Sequence, residues 1–237
     1  KSPKLGIQRF QWDLRYEEKV PVSFAKSSFY NPFAGVSEGT LVNPGKYSIE
    51  MDLFNGSTFK KLSNPVFFNV LALNNTSMPA LDRAEKVLFQ RKVSSLEGDM
   101  LSAAKMLGEA TNKIKYFKQA IKLVEAPYDE LSKLIFNTDS KIKSINTSLY
   151  GNSLKSKLDI QQVPTAYGRL SSILYEQKYS TSSPTVTHLK SFEIAKDEFA
   201  PIFNKIKNLI EVDIKEIENK LKIIKAPYTP GRLKPKY

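Results

Sequence analysis

The chain has 237 residues, a net charge of +12, no cysteine and a single histidine, His188. This excludes disulfides, thiolate nucleophiles, iron–sulfur clusters and cysteine-bound zinc, and it excludes paired-histidine metal sites. A hydrophobic content of 41% is enough to build a core, so the chain reads as folded, as one large domain or two small ones.

Most of the positive charge is lysine, set singly among Glu and Asp, and it is densest in the tail at Arg232, Lys234 and Lys236. Bidentate recognition of bases and phosphates favours arginine. A solvated face therefore explains the lysines better than a nucleic-acid or anionic-polymer surface, which stays as an alternative marked by salt-dependent binding. No apolar run approaches the roughly 18 residues of a membrane span, and no signal peptide is visible. The chain begins Lys1-Ser2-Pro3 and reads as a processed product or a piece of a longer protein.

In chain order, the first expected strand is Ile7–Tyr16, where Phe10, Trp12 and Leu14 fall on one face. The stretch from Phe24 to Leu41 reads as a loop carrying at most one short strand. Asn43-Pro44-Gly45 is a turn signature, and it leads into a strand over Lys46–Phe54 with Tyr47, Ile49, Met51 and Leu53 on one face. Asn55-Gly56 turns the chain, Thr58-Phe59 starts the return, and Val66–Leu73 is a further strand. So few strands leave a sheet uncovered, since a sandwich normally has about seven. Trp12, a residue suited to a deep core, stands near the start of the chain, which favours missing strands upstream. Phe10, Trp12 and Tyr47 also suit a sugar-stacking platform, but their alternation with polar neighbours favours a core role.

From Pro79 the pattern becomes helical. Val93, Leu96, Met100, Ala103, Leu107, Ala110, Ile114, Phe117, Ile121 and Val124 alternate three and four apart, a heptad stripe. A helix of about 40 residues is roughly 60 Å long and implies a long hairpin. Gly98 and Gly108 lie off the stripe and cost about 1 kcal/mol each relative to alanine. Ala126-Pro127 reads as a corner that folds a second helix back on the first. That helix carries Tyr128, Leu131, Ile135, Thr138, Ile142, Ile145 and Leu149 and ends at Gly151-Asn152. A third starts at Pro164 with Tyr167, Leu170 and Leu174, and fails at the polar Tyr179–Ser183. Pro184 opens a fourth, bearing Leu189, Phe192, Phe199, Phe203, Ile206, Ile210, Ile214, Ile217, Leu221 and Ile224, bent at Pro201. Its spacing slips to four-four at Ile206–Ile210–Ile214, a stutter. The tail, with Pro227, Pro230 and Pro235, cannot be helical. Leu233 and Tyr237 favour its docking along the bundle.

No chemistry-bearing constellation emerges, so no catalytic, cofactor-binding or metal-ligating residue is assigned. There is no glycine-rich phosphate loop after a strand and no Gly-x-Ser-x-Gly elbow, and His188 reads as a surface or half-buried helix residue. Glu211, Asp213, Glu216 and Glu218 lack the histidines of a helical di-metal site. Interspersed with Lys215 and Lys220, they read as a salt-bridged surface, with Asp213 half-buried at the stutter. The triplets at Asn55, Asn74, Asn75 and Asn146 match the glycosylation pattern and arise easily by chance.

Gly6-Ile-Gln-Arg-Phe-Gln-Trp12-Asp13-Leu14-Arg15-Tyr16 and Val42-Asn-Pro44-Gly45-Lys-Tyr47 resemble two motifs of the C-terminal region of Bacteroidetes-type exported β-propeller proteins with sortilin-like or sialidase-like BNR repeats. The same motifs resemble the immunoglobulin-like module of flagellar hook-capping proteins. The likeness implies an α+β chain with a small, incomplete immunoglobulin-like β-sandwich over 1–76. An elongated antiparallel bundle of about four long helices follows over 77–237, with the extended tail. It also implies export to the periplasm or cell surface, an upstream β-propeller in the same gene product, and an envelope or surface protein partner. The function it suggests is a non-catalytic C-terminal structural or interaction module. The alternative is an accessory region of a glycoside-hydrolase-like or sialidase-like enzyme whose active site lies in that propeller.

Overall fold

A helix whose apolar residues alternate three and four apart must bury one narrow seam along its whole length. In the computed structural model, which describes residues 6–23, 39–125 and 128–232, helix α1 (Arg83–Lys122) does so. It buries Phe89, Val93, Leu96, Met100, Ala103, Leu107, Ala110, Ile114 and Phe117. The Asp82 carboxylate caps it, accepting a hydrogen bond from the Glu85 amide at 3.0 Å. Pro79, the expected start, stands outside the helix.

The four expected helices arrange as three rods. Helix α2 (Asp129–Tyr150) runs back along the C-terminal half of α1, where Lys118 reaches Asp139 at 2.9 Å. After a loop holding the short α3 (Ser153–Lys157), α4 (Ala166–Tyr179) continues in the same direction along the other half of α1. There the Gln90 amide donates to the Gln177 carbonyl at 3.0 Å, and Lys86 donates to the Ser180 carbonyl. The third rod is α5 (Val186–Asn208), a π-helical segment (Leu209–Ile214) and α6 (Lys215–Ile223), joined without a break. It lies parallel to α1. Phe89 meets Phe192 edge-on at 5.7 Å near one end, and Lys113 meets Glu218 at 2.7 Å toward the other. The chain turns back between Lys122 and Asp129 as expected, although Ala126 and Pro127 themselves lie outside the described residues.

Two helix starts differ in detail from expectation. Thr165 and Thr185 cap α4 and α5, so Pro164 and Pro184 sit just before the cap and not in the first turn. Along α5 the buried residues are Phe192, Ala195, Phe199, Ile202 and Ile206, while Leu189 and Phe203 are exposed. The heptad phase of Phe192 and Phe199 wins over the larger side chain at 203. Pro201 stays inside the helix without ending it.

The α6 terminus is a Schellman motif. The Ala226 amide bonds to Leu221 O at 3.0 Å and the Lys225 amide to Lys222 O at 3.1 Å, with Lys225 at φ 53°. The chain beyond it docks. Thr229 is buried, and the Arg232 guanidinium donates to the Ala226 and Pro227 carbonyls. Leu233, Lys234, Lys236 and Tyr237 lie outside the described residues.

The N-terminal part corrects several expectations. The strands are β1 (Gly45–Ile49), β2 (Asp52–Phe54), β3 (Phe59–Lys61) and β4 (Val66–Val70). β1 pairs antiparallel with β4, and β2 with β3, as two separate two-stranded sheets. They are successive halves of one long hairpin, broken where Met51 faces Leu62 and Ser63. The Leu62 amide bonds to Met51 O, and the Met51 amide to the Ser63 hydroxyl. Asn55-Gly56 makes the turn as expected, with Gly56 at φ 99° and Asn55 Oδ1 accepting from the Ser57 and Thr58 amides. Ile7–Tyr16 is not a strand. Leu14 turns away at φ 60°, and among the described residues the segment forms one isolated bridge, Arg15 to Leu41. Most of the loop expected at Phe24–Leu41 lies outside the described residues.

The immunoglobulin-like sandwich is therefore not formed among the described residues, because a sandwich needs two sheets facing each other and the hairpin faces none. Trp12 joins a small cluster with Tyr47 and Phe68, with ring centroids 5.6 and 6.1 Å away, but stays 41% exposed. The deep core expected around Trp12 is absent.

The two off-stripe glycines have different causes. A Cβ on Gly108 would touch nothing within 4 Å, whereas one on Gly98 would sit 2.1 Å from the Lys19 carbonyl oxygen. Gly108→Ala should raise the unfolding free energy in urea by about 1 kcal/mol. Gly98→Ala should give no such gain.

Candidate interaction surfaces

Apolar side chains fill the interior of the bundle. An open depression of about 330 Å³ lies at the end of the bundle against Tyr128, Leu131, Lys220 and Ile223. Among the described residues no three His, Asp or Glu side chains are grouped as a metal ion would need. No helix there is long and apolar enough to cross a membrane.

Three of the four acidic residues singled out on the last rod are ion-pair partners. Asp213 accepts from Lys141 of α2 at 2.8 Å, Glu218 from Lys113 of α1 at 2.7 Å, and Glu216 pairs with Lys220 one turn on at 3.3 Å. Asp139 holds both Lys118 and Lys143 at 2.9 Å. The hydrogen bond from Lys118 comes first among the causes that draw the Asp139 carboxyl below its ordinary value of 3.8. These bonds tie α2 to both neighbouring rods and fix their register.

The stutter has a structural counterpart. Heptad spacing carries the buried residues through Ile202, Ile206 and Leu209 to Asp213, and then resumes one residue late at Ile214, Ile217 and Leu221. The π-helical segment absorbs that extra residue without shifting the helix on either side. As a result Asp213 and Ile214 both face inward, and Asp213 is only 7% exposed. Asp213, expected half-buried at the stutter, is buried, while Glu211 and Glu216 are exposed and Glu218 is half-buried.

His188 is part of a helix cap. Its Nδ1 accepts the Thr185 amide at 3.1 Å, while its own amide donates to the Thr185 hydroxyl at 3.2 Å. With Nδ1 accepting, Nε2 carries the proton and donates to Glu176 at 2.6 Å. The ring joins α5 to α4.

What remains uncovered is apolar. On the hairpin, Ile49, Met51, Phe54, Phe59, Val66 and Phe67 are all exposed, Phe59 at 73%. Phe54 and Phe59 stack only on each other, at 4.8 Å. Of the three aromatics weighed against a core role as a sugar-stacking platform, two meet. Phe10 stands exposed while Trp12 and Tyr47 pack together. A second apolar surface escaped the sequence reading. The loop between α2 and α4 is pinched shut by Gln162, whose amide accepts from the Asn152 backbone at 2.8 Å and donates to Asn152 O at 3.1 Å. Leu154, Leu158 and Val163 stand exposed on it. A glutamine ten residues from its partner carries no local sequence signal.

No family model, curated protein or solved structure matches this chain. The resemblance to exported β-propeller proteins and to hook-capping modules does not hold. Its two motifs lie in a segment that forms neither a packed sandwich nor any part of a closed propeller among the described residues, and the strands form an open hairpin beside a separate bundle.

A deletion and a substitution test the ion-pair belt. Deleting the exposed Val212 should turn the π segment into α-helix and restore three-four spacing from Ile206 to Ile224. The Lys141–Asp213 pair should then be lost while stability changes by less than about 1 kcal/mol, read by amide exchange and urea unfolding. Asp139→Asn should lower the melting temperature at pH 7. Because the folded-state carboxyl is drawn below 3.8, its contribution is full above that pH and fades as the pH falls further. The gap between variant and parent should narrow as the pH falls through the lowered range below 3.8.

Proposed function

We propose that this chain is a non-catalytic structural and interaction module, a stiff helical spacer that presents an uncovered β-hairpin to a β-structured protein partner. The observation that carries the reading is the contrast between its two parts. The bundle buries its apolar stripes almost completely, whereas the hairpin leaves large aromatic side chains in water. An isolated two-stranded hairpin is marginal in water, and clustered exposed apolar side chains mark interaction sites. Among the described residues each sheet has two strands, and no further strand pairs their outer backbone edges. Strand addition supplies hydrogen bonds to such an edge and a cover for its apolar face in one step.

The reading of the lysine excess as an anionic-polymer surface has no comparable support. Lys113, Lys118, Lys141 and Lys143 are each held by a carboxylate of the same chain.

A photo-crosslinking residue at Phe59, introduced in the cells that make the protein, should capture a partner through a peptide at a strand edge, and one at Glu109 on the bundle should not. Capture from Glu109 alone, or from neither position, contradicts the proposal. Phe59→Lys with Phe67→Lys should abolish capture and leave the urea midpoint of the bundle unchanged.

A further inference from the structure

The loop between α2 and α4 satisfies its backbone from within. Asn152 Oδ1 caps α3, accepting from the Leu154 and Lys155 amides at 3.0 and 3.2 Å. The Ser156, Leu158 and Ile160 amides bond to Asn152 O, Leu154 O and Lys155 O at 3.0, 3.1 and 2.9 Å. The Gln162 side chain that clamps Asn152 also donates to the Ser156 hydroxyl at 2.9 Å. That bond orients α3, because Ser156 then faces the closure of the loop. At about 100° per residue, Leu154 and Leu158 share the opposite side. Lys155 and Lys157 flank that pair, each roughly a quarter-turn from it. Leu154 and Leu158 are 68% and 71% exposed, and Val163 beyond them is 78% exposed. Unlike Lys113, Lys118 and Lys141 of the rods, neither Lys155 nor Lys157 meets a carboxylate among the described residues. Asp159 is the one acidic residue between Gly151 and Thr165.

We propose that this loop is a membrane-docking tip, which sets Leu154, Leu158 and Val163 into an anionic lipid surface while Lys155 and Lys157 hold the headgroups. Apolar side chains with lysines on both flanks match the boundary between acyl chains and headgroups, where a lysine stem lies along apolar surface and its ammonium stays in the polar layer. The internal hydrogen bonds let the loop enter that boundary without stripping water from unpaired amides, the usual obstacle for an irregular segment. A protein partner fits less well. Protein interfaces deplete lysine at their core, and a tip of a few apolar side chains falls short of the roughly 800 Å² that each partner covers in a stable complex. The loop is separate from the hairpin, so lipid docking and capture of a β-structured partner are independent and can be lost one at a time.

The test is co-sedimentation of the full chain with vesicles of phosphatidylcholine, with and without about one-third phosphatidylserine, at low ionic strength. The parent should bind the anionic vesicles about tenfold or more tightly than the neutral ones. Leu154→Ser with Leu158→Ser should weaken that binding by about tenfold or more, whereas Leu88→Gln, which removes an exposed leucine of α1, should leave it unchanged. Lys155→Gln with Lys157→Gln should weaken binding to the anionic vesicles about tenfold and leave binding to the neutral ones as it was. All these variants should keep the parent's urea midpoint. Because the chain has no cysteine, Val163→Cys can carry a single environment-sensitive dye, whose emission should shift to the blue on the anionic vesicles, while the same dye on Glu109→Cys should not respond. A parent chain that ignores both vesicles, or an unshifted dye at position 163, overturns the proposal. So does binding that survives the leucine changes, which would be general attraction of a chain of charge +12. Capture of a protein by a photo-crosslinking residue at Val163, with no vesicle binding, would assign the tip to a protein partner and overturn it as well.

Discussion

The helical architecture depends on one seam, the alternation of Val93, Leu96, Met100, Ala103, Leu107, Ala110, Ile114 and Phe117 along a single side of α1. A seam this narrow faces the axis between three rods and leaves the rest of α1 to solvent. The small residues Ala103 and Ala110 bring the rods close where the middle rod breaks between α2 and α4. Ion pairs at Asp139, Asp213 and Glu218 then select one register among those the apolar stripes allow. Each pair is half in water and contributes little to stability. A one-turn slip would leave Asp213 buried without a partner, which is costly.

The hairpin answers to no such seam. Its charges and apolar residues alternate as a covered sheet requires, yet nothing among the described residues covers it. The bundle is complete without the hairpin, and the hairpin is incomplete with the bundle. This asymmetry is why the functional reading attaches to the β part.

The heptad stripe of α1 was legible in the sequence because one periodicity dominates about nine turns. So was the irregularity near Ile210. Its form, a π-helical segment that turns Asp213 inward, depends on the neighbouring rods and could not be read locally. The grouping of α2 and α4 into one broken rod was hidden because both stripes fit α1 equally well. Gly98 looked like a cost of helix formation until the Lys19 backbone was seen against it. Trp12 looked like a core residue because its alternation with Phe10 and Leu14 mimics a strand. The positive φ of Leu14 and the missing opposite sheet undo that pattern. The family resemblance failed for the same reason, since it rested on motifs whose strand spacing survives while the sandwich does not.

Amide exchange along the intact chain at neutral pH tests the central claim most directly. If the α1 seam holds the bundle alone, amides from Met100 to Phe117 should form the slowest class and exchange only through global unfolding, while hairpin amides form a separate class exchanging by local opening at least a hundredfold faster. A hairpin as protected as α1, opening with it in one cooperative step, would contradict the account.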